Sequence, residues 1–74
     1  MPNESEIAIR DESIRLGQLL KLAGLVDDGG AARTAIAAGE VRVDGRVESR
    51  RGARIRPGQV VRFAEQVVRV TSAT

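Results

Sequence analysis

The stretch from residue 16 to residue 45, LGQLLKLAGLVDDGGAARTAIAAGEVRVDG, constrains this chain more than any other, because it reads as two short helices feeding directly into a strand and a tight turn. Leu16, Leu19 and Leu20 with Ala23 one turn on have the i, i+3, i+4, i+7 spacing that lines one helical face. Gly24 ends that helix. The second opens after Asp28, whose carboxylate can accept from the unpaired amides of a first turn, and Ala32, Ala35 and Ile36 form its apolar stripe. Gly39 stops it. Val41 and Val43 then alternate with Glu40 and Arg42, a period of two, and Asp44-Gly45 is a pair suited to the positive φ angles of a two-residue hairpin.

The flanking segments extend this unit. Residues 6–10, EIAIR, alternate Ile7 and Ile9 with polar neighbours and predict a short strand, after which Ser13 is positioned to cap the first helix. Beyond the first turn, Arg46 and Val47 lead into an arginine-bearing loop at 48–52, and Arg54-Ile55-Arg56 resumes a strand. Pro57-Gly58 signals a turn, and residues 60–63 and 67–70 are two β-rich runs joined by a closing hairpin. The expected fold is α+β: two short helices packed on one face of a small, mostly antiparallel sheet of four to five strands. One domain is expected over residues 6–71, with a disordered tail at 1–5 and a frayed end at 72–74.

A chain of 74 residues builds a small core, and with Phe63 as its single aromatic residue that core must be aliphatic. There is no cysteine to staple it. The first residues, MPNESE, are acidic and polar, and no apolar run approaches the roughly 20 residues that span a bilayer, so a cytoplasmic protein without a membrane partner is expected.

The absence of His, Cys and Tyr removes the imidazole base, the thiol and the phenol from the catalytic repertoire, and with them the usual metal ligands. The acidic pairs Asp11-Glu12 and Asp27-Asp28 sit at helix starts, where carboxylates cap. An enzyme is not expected, nor a metal, cofactor or small-molecule substrate. Binding fits the charge pattern better. Residues 1–28 carry three basic and six acidic side chains, whereas residues 29–62 carry eight arginines against Glu40, Asp44 and Glu48. Eleven of the twelve basic residues are arginine, whose planar fork grips phosphate oxygens and stacks on bases. The strand period places Arg42, Arg54 and Arg56 away from their apolar neighbours, and with Arg46, Arg50 and Arg51 in the adjoining turns a single continuous basic surface is predicted. Without exposed aromatic residues, recognition should lean on phosphates and RNA shape, with arginine planes supplying any stacking.

Taken together, Arg15-Leu16 with Leu19, Gly24-Leu25, Ala32-Arg33, Ile36, Gly39, Val41, Val43, the Asp44-Gly45 turn and Arg56-Pro57-Gly58 resemble the RNA-binding domain first defined in small-subunit ribosomal protein S-four, the αL motif. The resemblance covers residues 14–62. LGQLLKLAGL, GEVRVDGRVESRRG and FAEQVVRV are similar to its small stand-alone YbcJ-type branch. It implies a non-catalytic, ribosome-associated or structured-RNA-binding protein, with Arg15, Lys21, Arg33 and Arg42 around the helix pair and Arg46, Arg50, Arg51, Arg54 and Arg56 beyond it; a monomer is expected. Two departures shift the implied contacts toward the arginine loop: Asp28-Gly29 stands where many members open the second helix with Ser-Arg, and Arg51-Gly52 where Pro-Ser is common. Two other readings fit a basic helical protein. One is DNA binding by a helix-turn-helix-like unit at 16–38, although TAIAAG offers few side chains to read base edges. The other is an assembly factor whose basic face meets an acidic protein.

Overall fold

The computed structural model describes residues 3–73. In chain order the elements are β1 (Asn3–Ile9), β2 (Ile14–Arg15), α1 (Leu16–Leu22), α2 (Gly29–Ala37), β3 (Val41–Val43), β4 (Arg46–Val47), β5 (Arg54–Ile55), β6 (Val60–Phe63) and β7 (Gln66–Ser72). A five-stranded sheet runs β1-β7-β6-β3-β4, and β2 and β5 form a separate two-stranded ribbon. Pairing is antiparallel except between β1 and β7, which lie parallel. The α+β architecture agrees with the sequence reading, with one correction: Arg54 and Ile55 leave the main sheet to pair with Arg15 and Ile14. Ile55 is buried in the core through that ribbon, with no place in the five-stranded sheet.

The two helices start by different means. Asp28 caps α2 as expected, its carboxylate accepting from the Ala31 amide at 2.8 Å. At α1 the cap position falls on Arg15, which makes no side-chain cap bond, so Ser13 does not serve as the expected cap. The extended backbone of β2 runs straight into the helix, and Ser13 lies one strand too early. The orphan amides of the first turn are met instead by carbonyls from the distant arginine loop: Leu16 N–H donates to Ala53 O at 2.8 Å and Gly17 N–H to Arg51 O at 3.1 Å.

Strand alternation behaves as read. Val41, Val61, Val68 and Val70 turn one face of the sheet toward Leu16, Leu19, Leu20 and Ile36 of the helices, in a core made entirely of aliphatic side chains. Phe63 is half-buried at its margin. Asp44 and Gly45 take φ angles of 51° and 85° in the first hairpin. Asp44 also fastens the next turn, accepting from Val60 N–H at 2.9 Å and from the Gln59 amide at 3.1 Å.

The strand ends are longer than predicted. β1 begins at Asn3 and β7 continues to Ser72, in a register from Asn3↔Gln66 to Ile9↔Ser72, and Ala73 N–H donates to Ile9 O at 2.9 Å. Residues 3–5 and 72–73 are therefore tied down by backbone bonds rather than forming tails; residues 1, 2 and 74 lie outside the described residues. The polar NES segment gives no apolar period, but ladder pairing needs none.

Truncating Leu20, which is fully buried between helices and sheet, should cost about 2–5 kcal/mol as Leu20→Ala, measured by urea denaturation. Asp28→Ala should cost about 1 kcal/mol by the same measurement, since it removes one cap and leaves the core intact.

Candidate functional site

In the β2–β5 ribbon, Ile14 faces Ile55 and Arg15 faces Arg54. Ile55 is buried in the core, so alternation turns the two arginines outward, side by side. Arg54 Nη1 donates to Ser13 Oγ at 3.3 Å, which orients its guanidinium. The loop that precedes β5 brings in Arg51. Its carbonyl holds the Gly17 amide, and its side chain lies across Gly17 so closely that a Cβ there would stand 2.8 Å from Arg51 Cγ. A glycine at 17 is what allows an arginine to lie on the first turn of α1. Gln18 and Lys21, three residues apart, share one exposed face of that helix.

These groups enclose two adjoining depressions. The larger, about 830 Å³, is bounded by α1, the end of β1 and the 10–13 segment, with Arg10, Asp11 and Arg54 at its edge. The smaller, about 310 Å³, lies between α1, Arg51, Gly52 and the start of α2. Arg15, Gln18 and Lys21 line both. Arg15, Lys21, Arg51 and Arg54 are thus brought together from among the predicted residues, and Arg10 and Gln18 join them unforeseen. Gln18 was open to detection as the i−3 neighbour of Lys21. Arg10 was not, since its place depends on where β1 docks.

The remaining predicted residues line neither depression. Arg33 is exposed on α2 and lines neither depression. Arg42 pairs in register with Arg62 on the open face of the five-stranded sheet, and its Nη1 donates to Gly45 O at 3.1 Å. Arg46 sits opposite Val43 on the edge strand β4, and Arg56 is exposed at the turn before Pro57. Arg50 is held by Glu48: its Nε and Nη2 donate to the carboxylate, each at 3.2 Å, and its backbone N–H to Oε2 at 3.1 Å. The hydrogen bonds from Arg50 hold the Glu48 carboxyl below its ordinary range, and the same contact raises the Arg50 guanidinium. Among the described residues no group of acidic side chains is gathered for a metal ion, and no helix is long and apolar enough to cross a membrane.

Three comparisons place this arrangement among known proteins. The S4 domain profile matches residues 7–71. The chain is 46% identical over 59 residues to YbcJ of Escherichia coli, named for a proposed RNA-binding role, spanning 80% of this chain and 84% of that protein. It is 42% identical over 55 residues to RlbA of Bacillus subtilis, named for a proposed role in ribosome maturation, spanning 74% and 78%. The solution structure of E. coli YbcJ, described as revealing an αL motif involved in RNA binding, superposes with a TM-score of 0.66 at 38% identity, over 97% of this chain and 90% of that one. With both helices inside the matched region, the chain belongs to the S4 domain family, in the company of YbcJ.

Proposed function

We propose that this protein binds structured RNA, ribosomal RNA foremost, without catalysing a reaction, as a cytoplasmic monomer that acts on the ribosome or its precursors. The observation that carries this reading is the convergence on α1 of Arg15, Lys21, Arg51 and Arg54, drawn from separate parts of the chain by the ribbon and the loop. Four cations around two concave surfaces suit the phosphates of a folded RNA backbone, where guanidinium forks make charge-assisted hydrogen bonds. The names of YbcJ and RlbA point the same way. The missing His, Cys and Tyr remove the imidazole, the thiol and the phenol from any chemistry on that RNA.

The principal contacts are assigned to Arg15, Lys21, Arg51 and Arg54. Arg33, Arg42, Arg46 and Arg56 contribute to the field around the molecule, and Arg50 less so because Glu48 neutralises it. α2 opens with Gly29-Gly30-Ala31-Ala32, which offers no side chain to read base edges in a DNA groove.

The combined variant Arg15→Ala/Arg51→Ala/Arg54→Ala should bind purified ribosomal RNA roughly tenfold or more weakly at physiological salt, and its log affinity should fall less steeply with log salt, by about 0.7–0.9 for each phosphate that is no longer neutralised. Arg33→Ala and Arg56→Ala should change little. Undiminished affinity in the triple variant would overturn the assigned face, and retention on ribosomes after ribonuclease treatment would point instead to a protein partner. In a carbon-detected NMR titration, the Glu48 carboxyl should protonate below the ordinary carboxylate range. A depressed folded pKa means that the stabilising Glu48–Arg50 contact is present above the unfolded value and disappears as pH falls through the folded one. Glu48→Gln should release Arg50 at neutral pH and steepen the salt dependence of RNA binding.

A further inference from the structure

The larger depression has a character that phosphate docking leaves unused. Leu22 is 60% exposed, one of two large apolar side chains so exposed among the described residues, and it stands in the wall of this depression with Ala8, Ile9 and Ile14. An apolar wall gives nothing to a phosphate. Asp11 lines the same space and repels one. The lining of the smaller depression carries no carboxylate and presents Arg15, Lys21 and Arg51. The two adjoining spaces therefore differ: the smaller carries cations with no carboxylate, whereas the larger sets an apolar wall beside charges of both signs.

We propose that the larger depression receives a single unpaired nucleobase turned out of an RNA helix, while the smaller one holds a neighbouring phosphate. This rests on the RNA-binding reading above and names the RNA feature it selects. A nucleobase has flat apolar faces and an edge of hydrogen-bond donors and acceptors. Leu22 and Ile14 offer the apolar contact, and the Gln18 amide both donates and accepts toward the edge. Arg54, oriented by Ser13 Oγ, supplies a guanidinium plane in place of the aromatic platform this chain lacks. Arg15, Gln18 and Lys21 are shared by both spaces, which sets base and phosphate pockets next to one another, as they are within a nucleotide. A fully paired A-form helix keeps its bases stacked and cannot fill the larger space, so bulged or looped RNA is selected over perfect duplex.

The test uses one RNA hairpin in three forms: with a single-nucleotide bulge, with the same bulge made abasic, and fully paired. Binding is measured by fluorescence anisotropy at physiological salt for the unaltered protein and for Leu22→Ser, whose site is exposed and whose thermal unfolding should be unchanged. The unaltered protein should bind the bulged hairpin roughly fivefold or more tightly than either control. Leu22→Ser should lose that preference while keeping its affinity for the paired hairpin and its salt slope. Equal, salt-dependent binding to all three RNAs would overturn this inference and leave the RNA-binding function standing, as would a preference undiminished in Leu22→Ser. Absence of salt-dependent binding to every form would overturn both.

Discussion

Two backbone hydrogen bonds, from Leu16 N–H to Ala53 O and from Gly17 N–H to Arg51 O, are the constraint on which the site depends. A helix start exposes amides that must find acceptors, and here no nearby side chain provides them. The loop after β4 does, and in reaching α1 it brings Arg51 onto the helix and leads into β5, where Arg54 meets Arg15. Helix capping and cation placement are one event. A chain with the same arginines but a self-capped first helix would have no reason to gather them.

The placement of charge follows from this. In sequence the arginines of residues 42–56 form a dense cluster, yet in space only Arg51 and Arg54 of them line the depressions beside α1. Arg42 goes to the open face of the five-stranded sheet beside Arg62, Arg50 turns back on Glu48, and Arg51 and Arg54 join α1. Like charges opposite one another on adjacent strands destabilise a sheet, and the bond from Arg42 to Gly45 O draws that guanidinium aside. Density along a chain measures net field, whereas a binding surface depends on which strand each residue occupies.

The sequence revealed whatever is settled within a few residues. Gly24, Gly39 and the Asp44-Gly45 turn declare themselves because only certain residues adopt positive φ without strain, and Asp28 because a cap acts three residues ahead. The spacing of apolar residues and turn signals carried the α+β architecture, and the resemblance to the S-four RNA-binding domain, with which the S4 domain match agrees, carried the family. Hidden from local reading were the pairings of Ile14 with Ile55 and of β1 with β7, which join segments far apart along the chain. Arg10 and the loss of Ser13 as a cap are direct consequences of those pairings. The meeting of Arg15 with Arg54 is another.

The parallel seam between β1 and β7 also governs how the domain comes to be folded. β1 has no neighbour in the sheet except β7, so its backbone ladder cannot form until the strand at the far end of the described chain is available. Closing so large a loop is entropically costly and cannot be prepaid by local contacts. The helices and the hairpins β3–β4 and β6–β7 join segments close in sequence, whereas the seam joins the two ends of the described chain. The larger depression is bounded by the end of β1 and so depends on that seam for one wall, whereas the smaller cationic space is lined only by α1, α2, Arg15, Arg51 and Gly52.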